Sequence, residues 1–315
     1  MERTRVVVAG DPCLDANVYG RAGSVAKEAP VVALEADEKV FAPGQATNVA
    51  ANAATLGARV CFIGVAGDDE RRARLAGLLN ELGVDAGGLV AEVGRTTTYK
   101  IKYVTREAQR HDQHLFHAYW QEGRPAARGT VRRMRALAGE ALKNARALVL
   151  SDYGNGTLTA GFAKWLVEES ARRRVVSVAN ARGDLKKFRG VTAAVANMEE
   201  LAALAGPRAL AGGDLAAAMD AAARRLNVRY LVITAGGEGM YVWPVRGRVR
   251  HFPSAAREVV DVTGAGDTVT AGLAVALGAG FGLSAAGTLA NLAAAAVVGR
   301  EGTSVARAAE LRHFL

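Results

Sequence analysis

The run Asp261-Val262-Thr263-Gly264-Ala265-Gly266-Asp267-Thr268 carries the densest chemistry in the chain. Its two glycines let the backbone turn tightly and approach a ligand closely. The apolar helix that follows adds free N–H groups and the positive end of its dipole. Together these hold an anion, above all a phosphoryl group in transfer. Asp267 comes directly after and is placed to take a proton from an attacking hydroxyl. The same spacing also describes an ordinary glycine-rich helix start with Asp267 as its cap. It is not a dinucleotide fingerprint, because position 269 is Val where a third Gly or Ala is needed. Nor is it a Walker A loop, since the chain contains no Gly-Lys-Ser/Thr.

Such a loop needs a scaffold that aims helix starts at one crevice. Short, continuously apolar runs at Arg5–Ala9, Arg59–Ile63, Ala147–Ser151, Val175–Ala179, Ala193–Ala196 and Tyr230–Thr234 read as buried parallel strands. Helical stretches lie between and after them: Gln45–Leu56, Arg71–Leu82, Thr130–Lys143, Ala160–Arg173, Leu215–Leu226, Thr268–Leu277 and Leu283–Val298. This alternation predicts an α/β fold: a doubly wound, mostly parallel sheet flanked by helices, with right-handed crossovers. Two regions break the rhythm. Ala16 to Phe41 is extended without a clear helix. Thr96 to Trp120 contains an alternating run, Thr96 to Val104, that suits a half-exposed strand and a candidate sheet edge. Together they predict a small second sheet. No linker, internal repeat or low-complexity segment breaks the chain.

Composition narrows the setting. The chain has 315 residues, 50% hydrophobic and 23% charged, as in a soluble globular protein large enough to bury its core without staples. Two cysteines, Cys13 and Cys61, build no disulfide framework, and no Cys-x-x-Cys is present. The first apolar run is too short for a signal peptide. Leu289–Val298 is about half the roughly 20 residues of a membrane span. A cytoplasmic protein without a membrane partner is expected. The 40 basic and 31 acidic residues leave a net charge of +9. The basic runs at 71–74, 132–135 and 172–174 sit in helical stretches without interleaved aromatics, so we expect solvated helix faces and no nucleic-acid partner. The positive balance also suits an enzyme with phosphorylated substrates.

Asp-x-Thr-Gly-Ala-Gly-Asp resembles the C-terminal signature of the ribokinase-like (PfkB) carbohydrate kinases. Other motifs of that family follow in order. Gly10-Asp11 and Leu14-Asp15 resemble its sugar-binding start, and Pro43-Gly44-Gln45-Ala46-Thr47-Asn48 its first signature, usually Gly-Gly-x-x-Asn. Asn197-Met198-Glu199-Glu200 resembles its Asn-x-x-Glu motif, and Thr234-Ala235-Gly236-Gly237-Glu238-Gly239 its Thr-x-Gly-x-x-Gly. The likeness spans nearly the whole chain. It is strongest to the heptose 7-phosphate kinase branch, through Ser24–Val32, Leu150–Gly154, Val260–Thr268 and Asn291–Ser304.

The resemblance implies a single ribokinase-like kinase domain over 1–315, with lid segments at about 12–42 and 96–120. It implies transfer of the ATP γ-phosphoryl group to a sugar or sugar-phosphate hydroxyl, with Mg2+ bound. Asp267 would be the base, and Gly264, Ala265 and Gly266 the anion hole. The acceptor would meet Asp15, Gly44, Gln45, Asn48 and Asp152. Nucleotide contacts would come from Asn197, Thr234, Gly236, Gly239, Thr263, Asn291 and Ser304, with adenine near Asn291 and 302–304. Glu200 would serve the metal through water. Lys100, Lys102 and Arg106 are candidates for a clamp on a sugar phosphate, because alternate strand residues share a face. A lid of this kind also implies a homodimer. Several positions depart from the pattern. Gln45 replaces a glycine, Ala16 stands where the heptose kinases usually carry Arg, and Asn180-Ala181-Arg182-Gly183 replaces Asp-Pro-Lys-Gly. They leave another acceptor open, such as ribose, fructose or its phosphate, or a nucleoside, as well as a silent binder. His111, His114 and His117 are three apart, so on a regular strand they do not all share a face. Lid surface or substrate contact is expected of them rather than metal binding. Cys13 is expected to pack.

Overall fold

β1 (Arg5–Gly10) lies mid-sheet because its residues are apolar on both sides. Val6 and Val8 face one helical layer, Val7 and Ala9 the other, and all four are buried. The structure is a computed structural model describing residues 4–106, 112–206, 214–245, 247–256, 258–300 and 302–314. Around β1 run β4 (Arg59–Gly67), β5 (Val84–Glu92), β8 (Ala147–Asp152), β9 (Val176–Ala181), β10 (Ala193–Asn197) and β11 (Tyr230–Thr234). Their order is β11-β10-β9-β8-β1-β4-β5, and every pairing is parallel. β12 (Met240–Pro244) and β13 (Arg250–Phe252) extend one edge antiparallel.

The chain leaves β1 towards β4 and β5, then returns to β8 on the other side. The β1/β8 boundary is therefore the switch point, where a crevice opens beyond the strand ends. Helices α1 (Ala46–Thr55), α2 (Glu70–Glu81), α3 (Arg128–Leu142), α4 (Ala160–Arg172), α5 (Met198–Ala205), α6 (Leu215–Leu226), α7 (Ala265–Gly278) and α8 (Leu283–Val298) complete the fold. α7 is buried along nearly all its length and packs on α1 and α8.

The second sheet has the order β3-β2-β6-β7, from β2 (Pro12–Val25), β3 (Val32–Gln45), β6 (Tyr99–Thr105) and β7 (Gln113–Trp120). It is mixed, since β2 and β6 run parallel while the flanking pairs are antiparallel. The strand expected as an edge, Thr96–Val104, is thus interior as β6. β7 folds back and covers it, and the edges are β3 and β7. Sequence periodicity also missed β5, whose Asp85, Gly87 and Gly88 read as a loop. α7 begins at Ala265, three residues before the expected start, because the glycine-rich turn is itself its first turn.

Candidate active site

Gly264 caps α7 at φ +83, and a Cβ there would lie 2.7 Å from Asn48 Nδ2. Only glycine combines that backbone with that neighbour. Asp261 organises the preceding turn. Its Oδ1 accepts from the Thr263 amide at 2.8 Å and the Thr263 hydroxyl at 2.6 Å, and its Oδ2 from the Gly302 amide at 3.0 Å. Burial opposes the Asp261 charge, yet these bonds and Lys102 hold its pKa below the usual range. The Ala265 amide donates to Val262 O at 3.2 Å. As first-turn groups, the Gly266 and Asp267 amides have no carbonyl to meet within the helix, so they can serve an anion.

Asp267 is the third residue of α7, and its carboxylate lines a cavity of about 570 Å3. Oδ1 accepts from the Tyr153 hydroxyl at 2.5 Å and Asn180 Nδ2 at 3.4 Å, and Oδ2 from Asn48 Nδ2 at 3.2 Å. Burial raises its pKa to about 6 against those hydrogen bonds and the Arg182 charge. At neutral pH the carboxylate is ionised, fixed by three donors and only mildly acidic, which suits it to accept a hydroxyl proton.

The β2/β3 base forms one wall. Gly44 is opposite Cys13, and a Cβ on it would meet Asp15 Oδ1 at 2.4 Å, so this glycine leaves room for the Asp15 carboxylate. Asp15 accepts from the Thr303 hydroxyl at 2.6 Å and from Cys13 Sγ at 3.3 Å. Cys13 is buried, and burial beside Asp15 pushes its thiol pKa well up, so it packs as expected. Gln45 sits at φ 50, ψ −132, a backbone state that favours glycine. Its Oε1 accepts from Asn155 Nδ2 at 2.8 Å, and its side chain lines the cavity.

The opposite end is built from Asn197, Glu200, Thr234, Gly236, Gly239 and Asn291, which all line the cavity. Asn197 and Glu200 form a reciprocal capping box at the start of α5, both bonds being 2.8 Å. Burial raises the Glu200 pKa, although the Asn197 amide and Arg182 counteract it. The Thr234 hydroxyl bonds Ala196 O at 3.4 Å, and Asn291 Nδ2 bonds Pro253 O at 2.7 Å. Ser304 Oγ points to Val297 O at 3.4 Å. Gly302 and Thr303 bond Asp261 and Asp15, and Thr303 lines the same cavity as Asn291.

Three further expected contacts are engaged elsewhere. Asp152 pairs with Lys187 Nζ at 2.5 Å, away from the cavity lining. In the lid, Lys100 lines the cavity, whereas Lys102 is buried 3.7 Å from Asp261 Oδ2. Arg106 is spent on Glu38 at 3.0 Å and Asp112 at 3.2 Å. His111 lies outside the described residues. His114 and His117 do meet, at 2.9 Å between ring nitrogens.

Motif reading missed Tyr153 and Asn180 as partners of Asp267, and Thr303 as a partner of Asp15. Asn180 Oδ1 is buried without a hydrogen-bond partner, and the residue lines the cavity. Arg182 also lines the cavity, 5.4 Å from the Tyr153 ring centroid. Asp11 explains how Tyr153 is held. Fully buried, it accepts the amides of Tyr153 (2.8 Å), Asn155 (3.0 Å) and Thr157 (2.9 Å), and so fixes the loop after β8.

The donor set also bears on a divalent cation. Among the described residues no group of three His, Cys, Asp or Glu can hold a metal. Glu200 commits Oε2 to the cap, which leaves its second oxygen available, and the residue lines the cavity. That fits Mg2+, which keeps its waters and takes few protein ligands beside phosphate oxygens.

Solved structures with the same architecture include Arabidopsis thaliana ribokinase complexed with ribose and ATP. It superposes with a TM-score of 0.73 at 19% identity, covering 100% of this chain and 99% of that one. Phosphofructokinase-2 from Escherichia coli in complex with fructose-6-phosphate gives 0.77 at 17%, covering 100% and 98%. The fold is ribokinase-like. The profile of the pfkB family carbohydrate kinases matches residues 4–309, and the chain belongs to that family. It is thereby an ATP-dependent carbohydrate kinase. Curated relatives named bifunctional protein HldE are 40% identical in Halorhodospira halophila and 37% in Azorhizobium caulinodans. The matches cover 99% and 98% of this chain, which spans 63% and 64% of those relatives. Among the described residues no helix is long and apolar enough to cross a membrane.

Proposed function

We propose that this chain transfers the γ-phosphoryl group of ATP to a sugar-phosphate hydroxyl, namely the anomeric hydroxyl of a heptose 7-phosphate. One observation carries the reading: the ionised Asp267 carboxylate stands at the N-terminus of α7, inside a cavity whose other wall presents Asp15. Asp267 takes the acceptor's hydroxyl proton as its oxygen attacks the γ-phosphorus and the bond to the β–γ bridging oxygen breaks. The free Gly266 amide stabilises charge on the phosphoryl oxygens, with Gly264 and Ala265 shaping the turn that presents it. Asp15, Gly44, Gln45 and Asn48 orient the acceptor. Asn197, Thr234, Gly236, Gly239, Thr263, Asn291 and Ser304 serve the nucleotide side. Glu200 would hold Mg2+ through water, and the ion neutralises phosphate charge when bound. Residues 1–315 act as one kinase unit, in the cytoplasm where ATP is available, and as a homodimer through the lid. The HldE names of its relatives support the heptose acceptor.

A second reading keeps the mechanism and changes the sugar. Gln45, held at φ 50 over the cavity, and Asn180, where the heptose kinases carry Asp, favour it. The test is ADP release from Mg-ATP with heptose 7-phosphate, hexose phosphates, free sugars and nucleosides. Turnover on heptose 7-phosphate, lost in Asp267→Asn, is the expected result. Turnover only on another acceptor supports the second reading, and no sugar-dependent turnover with nucleotide binding retained defeats both.

A further inference from the structure

The cavity side of the lid carries a polar array that the transfer step does not use. On β7, Tyr119 lines the cavity, and His117, two residues earlier, shares its face. β6 sets Lys100 opposite Tyr119 and Lys102 opposite His117. Strict alternation would send His114 to the outer face. The register slips, however: Tyr103 pairs with Phe116 and Val104 with His114, leaving Leu115 unpaired. This bulge returns His114 to the cavity side. His114 Nδ1 then lies 2.9 Å from His117 Nε2, and His117 Nδ1 lies 3.3 Å from the Tyr119 hydroxyl. Lys100 Nζ is 5.7 Å from the Tyr119 ring centroid.

We propose that Lys100, His114, His117 and Tyr119 form a phosphomonoester site that holds the phosphate of a phosphorylated acceptor. It deepens the function proposed above and relies on that reading for the acceptor's identity. Of the other two cations considered for a clamp, Lys102 is committed to Asp261 and Arg106 to Glu38 and Asp112. Lys100 is in no ion pair among the described residues. Two facing ring nitrogens at 2.9 Å share one proton, so the pair cannot carry two charges in that geometry. Desolvation, Lys102 and Lys100 hold both imidazole pKa values below the ordinary histidine value, and His114 adds to this for His117, while Asp261 and, for His114, Asp112 act the other way. A phosphate dianion reverses this balance. Each ring then turns a donor to a phosphate oxygen, beside the ammonium and the phenol, and the pair takes up protons as the anion binds.

The first test needs no substrate. The histidine imidazoles of the whole chain are titrated by NMR with and without inorganic phosphate, and assigned through His114→Gln and His117→Gln. Phosphate should raise the pKa of both rings by about one unit or more. Unmoved titration curves overturn the site. The second test is kinetic. In His114→Gln/His117→Gln the KM for heptose 7-phosphate should rise about tenfold, with kcat within about twofold. KM for ATP and for phosphate-free heptose should not change. The wild-type KM for the phosphorylated sugar should climb between pH 6 and 8, and the double variant should lose that slope. A higher KM for ATP instead would assign the rings to the nucleotide and overturn the proposal. Rings that respond to phosphate in a protein inactive on heptose 7-phosphate would defeat the acceptor reading and keep the site. Turnover with an unchanged KM in the double variant would defeat the site and keep the reading. His114 is exposed, so these variants should fold, which thermal melting checks.

Discussion

At the scale of single residues, Asp267 sets opposing demands on activity and stability. Its pKa of about 6 predicts that kcat/KM falls as pH drops through 6, because the base is then protonated. Asp267→Asn should lose about 10²–10⁴ in kcat. The folded-state pKa lies above the unfolded value, so the folded protein binds the extra proton between about pH 4 and 6. Stability from this group is complete below the unfolded pKa and is lost as pH rises through 6. At neutral pH the buried charge costs about 3 kcal/mol, from a shift of 3.8 to about 6. Asp267→Asn should therefore melt higher than wild type at pH 8, with the difference vanishing near pH 4. Equal melting points at pH 8 would refute this. Gln45 makes a second residue-scale case. Its φ of 50 costs on the order of 1–3 kcal/mol, partly offset by the bond from Asn155. Gln45→Ala keeps the strain and loses the bond, whereas Gln45→Gly removes both. Gln45→Gly should be the more stable by about 1 kcal/mol in urea unfolding.

At the scale of elements, the site depends on ends and irregularities more than on strands and helices. The loop after β8 brings Tyr153 to Asp267 because Asp11, at the end of β1, gathers three of its amides. Asp11→Ala would leave three amides without that acceptor and should cost about 3 kcal/mol or more, with kcat falling as Tyr153 shifts. Asp11→Asn keeps one acceptor oxygen and should lose less. If both variants unfold at the wild-type urea midpoint, Asp11 is not the anchor. The bulge at Leu115 acts in the same way, since one extra residue decides which face His114 occupies. That placement was illegible because a bulge has no signature in alternation. The Asn197–Glu200 box, in contrast, was readable as a helix cap, and its geometry also brings Glu200 to the cavity.

At the scale of the whole molecule, the lid carries a group of exposed apolar side chains. Val25, Val31, Val32, Phe116 and Trp120 are all exposed there, and the strands β3 and β7 are open edges. Patches of this kind belong to interfaces. The proposed dimer predicts that the purified chain elutes at twice its mass in light scattering, and that Phe116→Glu yields a monomer. A wild-type monomer at micromolar concentration would rule that out. The two long walls of the cavity come from distant parts of the chain: Asp15 and Thr303 touch across 288 positions, and Asn48 and Asp267 across 219.

What the sequence determined by itself was local. Apolar runs without alternation dictate a parallel sheet buried on both faces. The glycine-rich turn that opens α7 dictates a place for an anion, because its backbone chemistry lies within eight consecutive residues. The family likeness followed from motifs of the same short range. Only the tertiary structure decided which side chains share the cavity. Tyr153 reaches Asp267 through Asp11, Thr303 reaches Asp15 through the turn after α8, and Lys102 turns from a candidate clamp into the partner of Asp261. Each outcome depends on burial and on pairings between segments far apart in the chain. The charge that a buried lysine, aspartate or histidine keeps is set by those neighbours and not by its own sequence context.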